Sequence, residues 1–317
     1  MRPAIEVEQV GRVFTASGRR IVALDGVSFT VGAGQIVGLL GENGAGKTTL
    51  TKILSTLLLP STGTARILGV DVVDEPRTVR ASQSVILGGD RGLYNQLSAR
   101  ENLRFFGMLD GLPRRRVLAA LDGALDRVGL GEAADRKVGT YSKGMRQRLH
   151  IAIGMLSEPR VLLLDEPTVG LDPVEADRLR GSVRDLRDRG VTILLTSHYL
   201  LDIAELADRV LILEHGRISH DMTVPEFSAS LGFVATVTVR GSGAPPGADR
   251  WDAMAGAQVR IETETDGWRI ALRLERWSPN VFAELGHALR DVRIESTEVV
   301  PARLEDVFIH LQSEGTP

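Results

Sequence analysis

The chain has 317 residues, of which 43% are hydrophobic and 25% are charged, and its formal net charge is −3. This composition suits a globular protein with a full core and excludes disorder over the whole chain, and the near-balanced charge lacks the strong cationic field that is typical of nucleic-acid-binding proteins. Cysteine is absent, which excludes disulfides, thiolate metal sites and cysteine nucleophiles.

The sequence predicts neither a membrane span nor an export signal. No segment approaches the roughly 18 consecutive apolar residues that a spanning helix needs. Acidic Glu6 and Glu8 stand where a signal peptide would need apolar residues. We therefore expect a chain that does not cross the membrane and is not exported.

The N-terminal segments alternate between apolar and polar residues. Ile5, Val7 and Gln9 fall on one side of the first segment, and Val10 falls with the acidic residues on the other. Residues 27–31 alternate in the same way. Both patterns predict half-buried strands that pair in antiparallel fashion.

Three short, nearly continuous apolar runs follow, at 36–40, 161–164 and 191–195. Such runs are typical of central strands in a parallel sheet that helices cover on both faces. Apolar residues recur at helical spacing before Pro60 and before Pro159. The two apolar stripes are Leu50, Ile53, Leu54, Leu57 and Leu58, and Met145, Leu149, Ala152, Ile153 and Leu156.

The predicted domain order follows from these elements. Residues 98 to 140 are mostly helical in pattern, which predicts a helical insert at about 88–157 in an α/β domain that spans residues 1–220. After residue 220 the sequence pattern changes, and all three tryptophans lie beyond this point. We predict a linker at 221–234 and a small α/β domain at 235–317. In that domain, strands are expected at 235–240, 259–264 and 268–274, a loop at 241–247, a hairpin turn at 266–267, and helices at 280–289 and 302–311.

Residues 41–48 have the sequence GENGAGKT and fit the pattern G-x-x-x-x-G-K-[ST]. They lie between an apolar strand and an amphipathic helix, which is the context that a phosphate-binding loop requires. Its backbone amides converge on phosphate oxygens, Lys47 is placed for the β- and γ-phosphates, and the Thr48 hydroxyl is placed for Mg²⁺. The alternative is a glycine-rich turn with no ligand. The nucleotide-binding candidates of this loop are Gly41, Glu42, Asn43, Gly44, Ala45, Gly46, Lys47, Thr48 and Thr49.

Two acids end the apolar run that begins at Val161. The strand end points Asp165 towards the Mg²⁺, directly or through water, and Glu166 is then placed to polarise an attacking water. The alternative is a pair of acids that caps the loop after a strand. Next to the phosphate-binding loop, the catalytic interpretation is favoured.

These motifs resemble, over residues 1 to about 220, the ATP-binding subunits of ABC transporters. The resemblance implies a P-loop NTPase core with a mostly parallel sheet, an antiparallel β subdomain and a helical insert. Residues 141–145 resemble the signature sequence of that family, which contacts the γ-phosphate of ATP held by a second copy. Asp172 resembles the D-loop residue, His198 the switch histidine and Phe14 the aromatic residue that stacks on adenine. The catalytic candidates are Lys47, Glu166 and His198, the metal candidates are Thr48 and Asp165, and the further nucleotide-binding candidates are Phe14, Ser142, Lys143, Gly144 and Asp172.

The chain departs from the family pattern at two positions. The family usually has a glutamine where the sheet passes into the helical insert, and the aligned residue here is Gly89. Asp90, the backbone or a water is left to replace it, since Gln83 lies too early in the chain. Lys143 stands where the family commonly has glycine, and its ammonium either approaches phosphate or faces solvent.

Residues 88–103 and 304–308 resemble the branch that serves type-two ABC (ABC-2) exporters of drugs, antibiotics, lipids, polysaccharides or sodium. At 304–311 the apolar spacing is explained equally by a packing helix. The resemblance implies an ATPase that uses Mg²⁺, sandwiches ATP in a head-to-tail homodimer and docks on a separate polytopic membrane permease subunit. We expect it in the cytoplasm, peripheral on the inner face of the cell membrane, with no nucleic-acid partner and no zinc.

Two rival functions fit the sequence less well. A soluble ABC ATPase that acts on nucleic acid or ribosomes usually has two ATPase units, a long coiled coil or zinc ligands, and the basic run at 114–116 is more simply a solvated helix face. A P-loop kinase would give no reason for Ser142, Asp172 and His198. The C-terminal domain is either a dimerisation or regulatory module or a ligand sensor that uses its tryptophans (Trp251, Trp268 and Trp277), and burial of these in its core is the simpler hypothesis.

Overall fold

The structure is a computed structural model that describes residues 2–16, 19–87, 92–230, 234–251, 257–264, 267–275 and 279–301. The chain divides into two compact units, Met1–Val224 and Pro225–Pro317. Residues 221–229, which the sequence suggested as linker, instead end a strand and form a short helix. The boundary therefore coincides with the start of a helix rather than with an extended segment.

The first unit alternates strands and helices after an antiparallel start. Its strands are β1 (Ile5–Ala16), β2 (Arg19–Val31), β3 (Ile36–Leu40), β4 (Thr62–Ile67), β5 (Val70–Asp71), β6 (Gln83–Ile86), β7 (Val161–Asp165), β8 (Thr192–Ser197), β9 (Arg209–Glu214) and β10 (Arg217–Thr223). Its α-helices are α1 (Lys47–Leu54), α2 (Pro76–Ser82), α3 (Ala99–Leu109), α4 (Arg114–Arg127), α5 (Lys143–Gly154), α6 (Pro173–Asp188) and α7 (Leu200–Leu206), with 3₁₀ turns at Gly131–Ala133 and Val138–Thr140.

Two sheets form the core of this unit. Strands in the order β2-β1-β4-β5 make an antiparallel sheet, and strands in the order β10-β9-β3-β8-β7-β6 make the larger one. In the larger sheet β9, β3, β8, β7 and β6 run parallel, and β10 pairs antiparallel with β9. The predicted P-loop NTPase architecture is confirmed, because the three apolar runs are its central strands and every residue of β3, β7 and β8 is buried.

The alternation predicted for the first strand fails at Gln9. This residue has a positive φ of 50°, and the pairing of β1 with β2 shifts register between Val7 and Val10. An extra residue in one strand exchanges the two faces beyond it. Val10 is therefore fully buried instead of lying with the exposed acids, and Gln9 is exposed.

The helix after the phosphate-binding loop ends earlier than its apolar stripe suggests. The stripe runs to Leu58, but α1 stops at Leu54, because Thr56 adopts a left-handed φ of 63°. The amides of Leu57 and Leu58 both donate to the Lys52 carbonyl, at 2.9 and 3.0 Å. As a result the Leu57 side chain is turned outwards and is 59% exposed.

The strand order brings the candidate site residues to one edge. Strands β3, β8 and β7 are neighbours and parallel, so their carboxyl ends meet there. The phosphate-binding loop follows β3, Asp165 ends β7 and His198 follows β8. Leu50 and Ile53 of α1 are fully buried in the apolar cluster beneath, which holds the helix N-terminus against this edge.

The second unit contains a four-stranded antiparallel sheet. Its strands β11 (Ala235–Ser242), β12 (Ala257–Glu264), β13 (Gly267–Leu274) and β14 (Arg293–Pro301) lie in the order β12-β13-β11-β14. The other elements among its described residues are α8 (Val224–Ala229), a 3₁₀ turn at Ala248–Trp251 and α9 (Pro279–Ala288). Strand β14 is an element that the sequence patterns did not indicate.

Burial in the second unit favours the simpler hypothesis for its tryptophans. Trp251 and Trp268 are buried in one apolar cluster with residues of α9. Trp277, Asp266 of the predicted turn, and the predicted helix at 302–311 lie outside the described residues. Within the described parts of both units, no helix combines the length and the apolar character needed to cross a membrane.

Candidate functional site

The loop between β3 and α1 is shaped by glycines in conformations that other residues resist. Gly46 has φ 113° at the N-cap of α1, and a Cβ there would lie 2.5 Å from the Ala23 carbonyl oxygen. Gly44 has φ 90°. The loop can therefore wrap tightly around the helix N-terminus, where backbone amides and the helix dipole favour an anion.

Lys47 is the first residue of α1, and its side chain turns back over the loop. Its Nζ donates to the carbonyl oxygens of Gly41 and Glu42, at 2.6 and 3.1 Å. The carboxylate oxygen Oε1 of Glu166 lies 3.7 Å away. Lys47 is only 6% exposed, so its charge is held at a fixed position at the base of the site.

Thr48 and Asp165 meet across the sheet edge although 117 residues separate them. The Thr48 hydroxyl donates to Asp165 Oδ2 at 3.2 Å. The other carboxylate oxygen, Oδ1, accepts a 2.6 Å hydrogen bond from the hydroxyl of Thr196. Thr196 thus orients the acid, and the sequence analysis assigned this residue no role even though it lies two positions before His198.

Glu166 and His198 are in contact through Oε2 and Nδ1. The backbone amide of Glu166 donates to both the carbonyl and the hydroxyl oxygen of Thr196, at 3.0 and 3.1 Å. Glu166 also has a left-handed φ of 54°, a conformation that costs energy for a residue with a side chain and is often found at functional sites. The turn directs its carboxylate away from the strand and towards Lys47 and His198.

These side chains line one cavity of about 610 Å³. Its walls come from the phosphate-binding loop, the ends of β7 and β8, the β2 residue Ala23, and Val169 in the loop after Glu166. The residues that line it are Ala23, Glu42, Asn43, Gly44, Gly46, Lys47, Thr48, Thr49, Lys143, Asp165, Glu166, Val169 and His198. Ala23 and Val169 had no recognisable sequence signal as cavity residues, because a small apolar side chain in a strand or a loop indicates no ligand.

The signature residues lie at the start of α5. Ser142 is exposed, and its Oγ caps the helix by accepting from the Met145 amide at 3.1 Å. Gly144 is buried, and a Cβ there would lie 2.3 Å from a carboxylate oxygen of Glu175. Glu175 pairs with the buried Arg148 at 3.0 Å. The glycine is therefore required for the packing of α5 on α6, whatever its role towards a ligand.

Lys143 is half-buried and lines the same cavity as Lys47. Its Nζ lies close to Gly170, where an added Cβ would approach it to 2.5 Å. The ammonium therefore lies beside the cavity and the loop at 169–170. Two of the four lysines of the chain thus border one cavity.

Asp172 and Phe14 lie apart from the cavity lining. Asp172 is the N-cap of α6 and accepts from the amides of Val174 and Glu175, each at 3.0 Å. Phe14 lies in β1 opposite Ile21, with the Arg12 guanidinium 4.7 Å from its ring centre. Gly89 and Asp90 lie outside the described residues.

The known sequences that are similar to this chain belong to one family. Residues 24–169 match the family described as ABC transporter. The daunorubicin/doxorubicin resistance ATP-binding protein DrrA of Streptomyces peucetius is 38% identical over 313 residues, covering 98% of this chain and 93% of that protein. The ABC transporter ATP-binding protein NatA of Bacillus subtilis is 37% identical over 214 residues, covering 68% of this chain and 87% of that protein. Nod factor export ATP-binding protein I of Rhizobium sp. (strain N33) is 38% identical over 214 residues, covering 68% and 69%.

Solved structures align with about the share of this chain that the first unit occupies. An ATP-binding subunit of an ABC transporter aligns with a TM-score of 0.62 and 30% identity over 72% of this chain and 93% of that one. The ATP-binding cassette MJ0796, a dimer in a post-hydrolysis state bound to ADP and Pi, aligns with a TM-score of 0.61 over 69% of this chain and 98% of that one. Its identity of 22% supports the fold alone.

Proposed function

The chain belongs to the ABC transporter family as an ATP-binding, ATP-hydrolysing subunit, and on this premise we propose how its residues power export through a separate membrane subunit. One observation carries the proposal. Lys47, Thr48, Asp165, Glu166 and His198 converge on a single cavity although they come from three separate parts of the chain. Phosphoryl transfer needs this combination of fixed cations, oxygen ligands and a carboxylate.

The cavity suits the polyphosphate tail of ATP together with Mg²⁺. The loop amides and the Lys47 ammonium face the anionic phosphates. The Thr48 hydroxyl and the Asp165 carboxylate, 3.2 Å apart, are hard oxygen ligands of the type that Mg²⁺ prefers. We propose that these two residues hold the ion and that residues 42–48 surround the phosphates. The bound ion would neutralise negative charge on the β- and γ-phosphate oxygens.

Hydrolysis then depends on Glu166. Its carboxylate contacts both Lys47 and His198 and lines the cavity. Glu166 orients the attacking water and accepts its proton, while Lys47 stabilises the charge that develops on the transferred phosphoryl group. His198 fixes the direction of the Glu166 carboxylate through their contact.

The signature residues are proposed to act on the ATP of a second copy. Ser142 is exposed at the N-terminus of the 12-residue helix α5, and the positive end of the helix dipole favours an anion there. A head-to-tail homodimer with two-fold symmetry would place Ser142 and Gly144 of each copy over the γ-phosphate held by the other. ATP would then close the dimer, and loss of phosphate would reopen it.

A second depression is proposed as the docking site for the membrane subunit. We name it the lateral groove. It has a volume of about 830 Å³ and is lined by the apolar side chains of Leu57, Leu87, Phe106 and Leu112 and by Arg77 and Arg80, among others. Leu57 is 59% exposed and Leu87 is 39% exposed, so burying them is favourable. The proposed occupant is a cytoplasmic loop of the permease that carries apolar and acidic residues.

The direction and cargo are inferred from relatives. The protein from Streptomyces peucetius is named for daunorubicin/doxorubicin resistance and the one from Rhizobium for Nod factor export. We propose that this chain likewise energises export, of an antibiotic-class compound. The match to the resistance protein covers 98% of this chain, whereas the match to NatA covers 68%. The C-terminal unit is proposed to be a dimerisation or regulatory module with buried tryptophans.

The location follows from the partner. A subunit that docks on a polytopic permease and uses cellular ATP works on the cytoplasmic face of the cell membrane, as a peripheral protein. The rival proposal of a soluble ATPase that acts on nucleic acid or ribosomes gains no support from these relatives, which are named as resistance and export proteins.

The test is co-expression of this chain with a candidate polytopic permease subunit from the same genome. We expect the two to co-purify, cargo to stimulate ATP hydrolysis, and inverted vesicles to accumulate the cargo with ATP. Glu166→Gln should keep ATP binding, abolish accumulation and trap a dimer in size-exclusion chromatography. Normal turnover in Glu166→Gln would contradict the role of Glu166, and a parent chain that neither binds nor stimulates the membrane protein would contradict transport.

A further inference from the structure

We infer that Asp202 is a positioning residue that aligns Glu166 and His198 for ATP hydrolysis. The inference rests on the ATPase site proposed above and extends it to a residue that does not line the cavity. Asp202 lies on α7, which begins two residues after His198. It is 1% exposed, and an acid that is this deeply buried has to be hydrogen-bonded or paired.

The Asp202 carboxylate joins two loops of the site. Its Oδ2 accepts from the hydroxyl of Ser197, at 3.1 Å, and from the hydroxyl of Thr168. Ser197 immediately precedes His198, and Thr168 lies two residues after Glu166. Both hydroxyl residues are themselves buried, at 0% and 4% exposure. One carboxylate oxygen therefore fixes the spacing between the segment that carries the base and the segment that carries its histidine partner.

The other oxygen anchors this carboxylate to the helix after the D-loop. Asp202 Oδ1 accepts from Arg180 Nη1 at 3.2 Å, and Arg180 is also buried. Arg180 lies on α6 and forms a second ion pair with Glu205, at 2.9 Å. Because a buried, charge-paired acceptor is costly to displace, the Asp202 side chain has a fixed position relative to α6, β8 and the loop after β7.

The strands alone do not fix this alignment. The backbone amide of Glu166 is bonded to Thr196, which fixes the beginning of the turn after β7. Beyond Glu166 the chain leaves the sheet, and Asp202 is bonded to it at Thr168. On the opposite side, the Gln147 side chain of α5 donates to the Pro167 carbonyl at 3.2 Å. Loss of the Asp202 contact would therefore let the turn move with α5 and away from His198.

The test uses a matched pair at Thr168 and a substitution at Asp202 in the 317-residue chain. Thr168→Val keeps the shape of the side chain but removes the hydroxyl, whereas Thr168→Ser keeps the hydroxyl. Asp202→Asn keeps the size but removes the charge. We expect Thr168→Val and Asp202→Asn to lower kcat by about tenfold to 100-fold, since small misplacements near the chemistry have effects of this size. The KM for ATP should stay within about threefold, because the phosphate-binding loop is untouched.

Two controls separate alignment from stability. Glu205→Gln removes an ion pair of the same cluster without touching the Asp202 carboxylate, and it should leave kcat unchanged. Thr168→Ser should recover most of the turnover that Thr168→Val loses. In a His198→Ala background, Asp202→Asn should cause little further loss, because both act on the same alignment.

Three outcomes would overturn the inference. The first is that folded Thr168→Val and Asp202→Asn keep the kcat of the parent. The second is that Thr168→Val and Thr168→Ser have the same kcat. The third is that the fold-losses in kcat from Asp202→Asn and His198→Ala multiply in the double variant. The thermal unfolding midpoint of each variant, measured beside kcat, shows whether that variant is folded at the assay temperature. Failure of the proposed function would look different, because turnover would then be insensitive to Lys47→Ala in every background.

Discussion

Thr48 and Asp165, which the sequence assigns separately to Mg²⁺, are joined by a 3.2 Å hydrogen bond from the threonine hydroxyl to carboxylate oxygen Oδ2. Thr48 is the second residue of α1, and Asp165 is the last residue of β7. Both side chains line the cavity that Lys47 also lines, so the two proposed Mg²⁺ ligands lie together in one cavity.

Substitution of Asp165 should affect the magnesium dependence first. Asp165→Asn removes the anionic oxygen ligand, so the Mg²⁺ concentration for half-maximal ATP hydrolysis should rise by about tenfold or more. Thr48→Ser keeps the hydroxyl and should shift it much less. A magnesium titration of ATPase activity and of fluorescent-ATP binding checks both. An unchanged midpoint in Asp165→Asn would contradict the assignment.

Removal of the second lysine from the cavity should weaken ATP binding. Lys143 borders the cavity together with Lys47, so Lys143→Met should raise the KM for ATP by about three- to tenfold at low salt, because one attractive charge is lost. Lys143→Arg should stay near the parent value. The difference should shrink as salt rises. Identical KM values for the Met variant and the parent at low ionic strength would mean that the ammonium contributes nothing to ATP binding.

The lateral groove provides a matched pair of leucines. Leu57 lines it, whereas Leu59 is similarly exposed, at 61%, and is not among the described residues that line it. Leu57→Asp should abolish co-purification with the membrane subunit, because a charge replaces an apolar contact and repels acidic groups. Leu59→Asp should retain it, and both variants should bind ATP normally. Equal loss in both variants would argue for a general surface effect.

Helix α3 contributes Phe106 to this groove, and the capping contact at the start of the helix should respond to pH. The Ser98 amide donates to the Glu101 carboxylate at 2.7 Å, and this bond lowers the pKa of Glu101 below its ordinary value. In return, the Glu101 amide donates to Ser98 Oγ at 3.2 Å. Ser98→Ala should lower the free energy of unfolding by about 1 kcal/mol, and Ser98→Thr should keep most of it.

The charge of Glu101 gives the sign of the pH effect. Because its pKa is lower in the folded state, its contribution to stability is complete above the unfolded-state pKa of about 4.3 and is lost as pH falls through the folded-state value. The difference in unfolding free energy between the parent and Glu101→Gln should therefore be constant near neutrality and vanish in acid. Urea denaturation across this range measures it, and a difference that does not depend on pH would exclude the charged capping contact.

Local patterns predicted the elements that carry the site. The phosphate-binding loop lies in consecutive residues, and the apolar runs before it and before Asp165 are fully buried strands. The same patterns failed where a single backbone torsion changed which side chains are buried. The left-handed φ values at Gln9 and Thr56 moved Val10 inwards and turned Leu57 outwards, and neither residue has a side chain that signals such a conformation.

The sequence by itself determined the chemistry of this protein, because the amides, lysine and hydroxyl that face a polyphosphate are adjacent along the chain and their geometry is local. Tertiary structure alone decided which distant polar groups meet. The contact of Thr196 with Asp165 and of Asp202 with Thr168 depends on β8 lying between β3 and β7 and on α7 packing beside them. That order is set by the summed burial of apolar side chains across the whole sheet, and no short stretch of sequence encodes it.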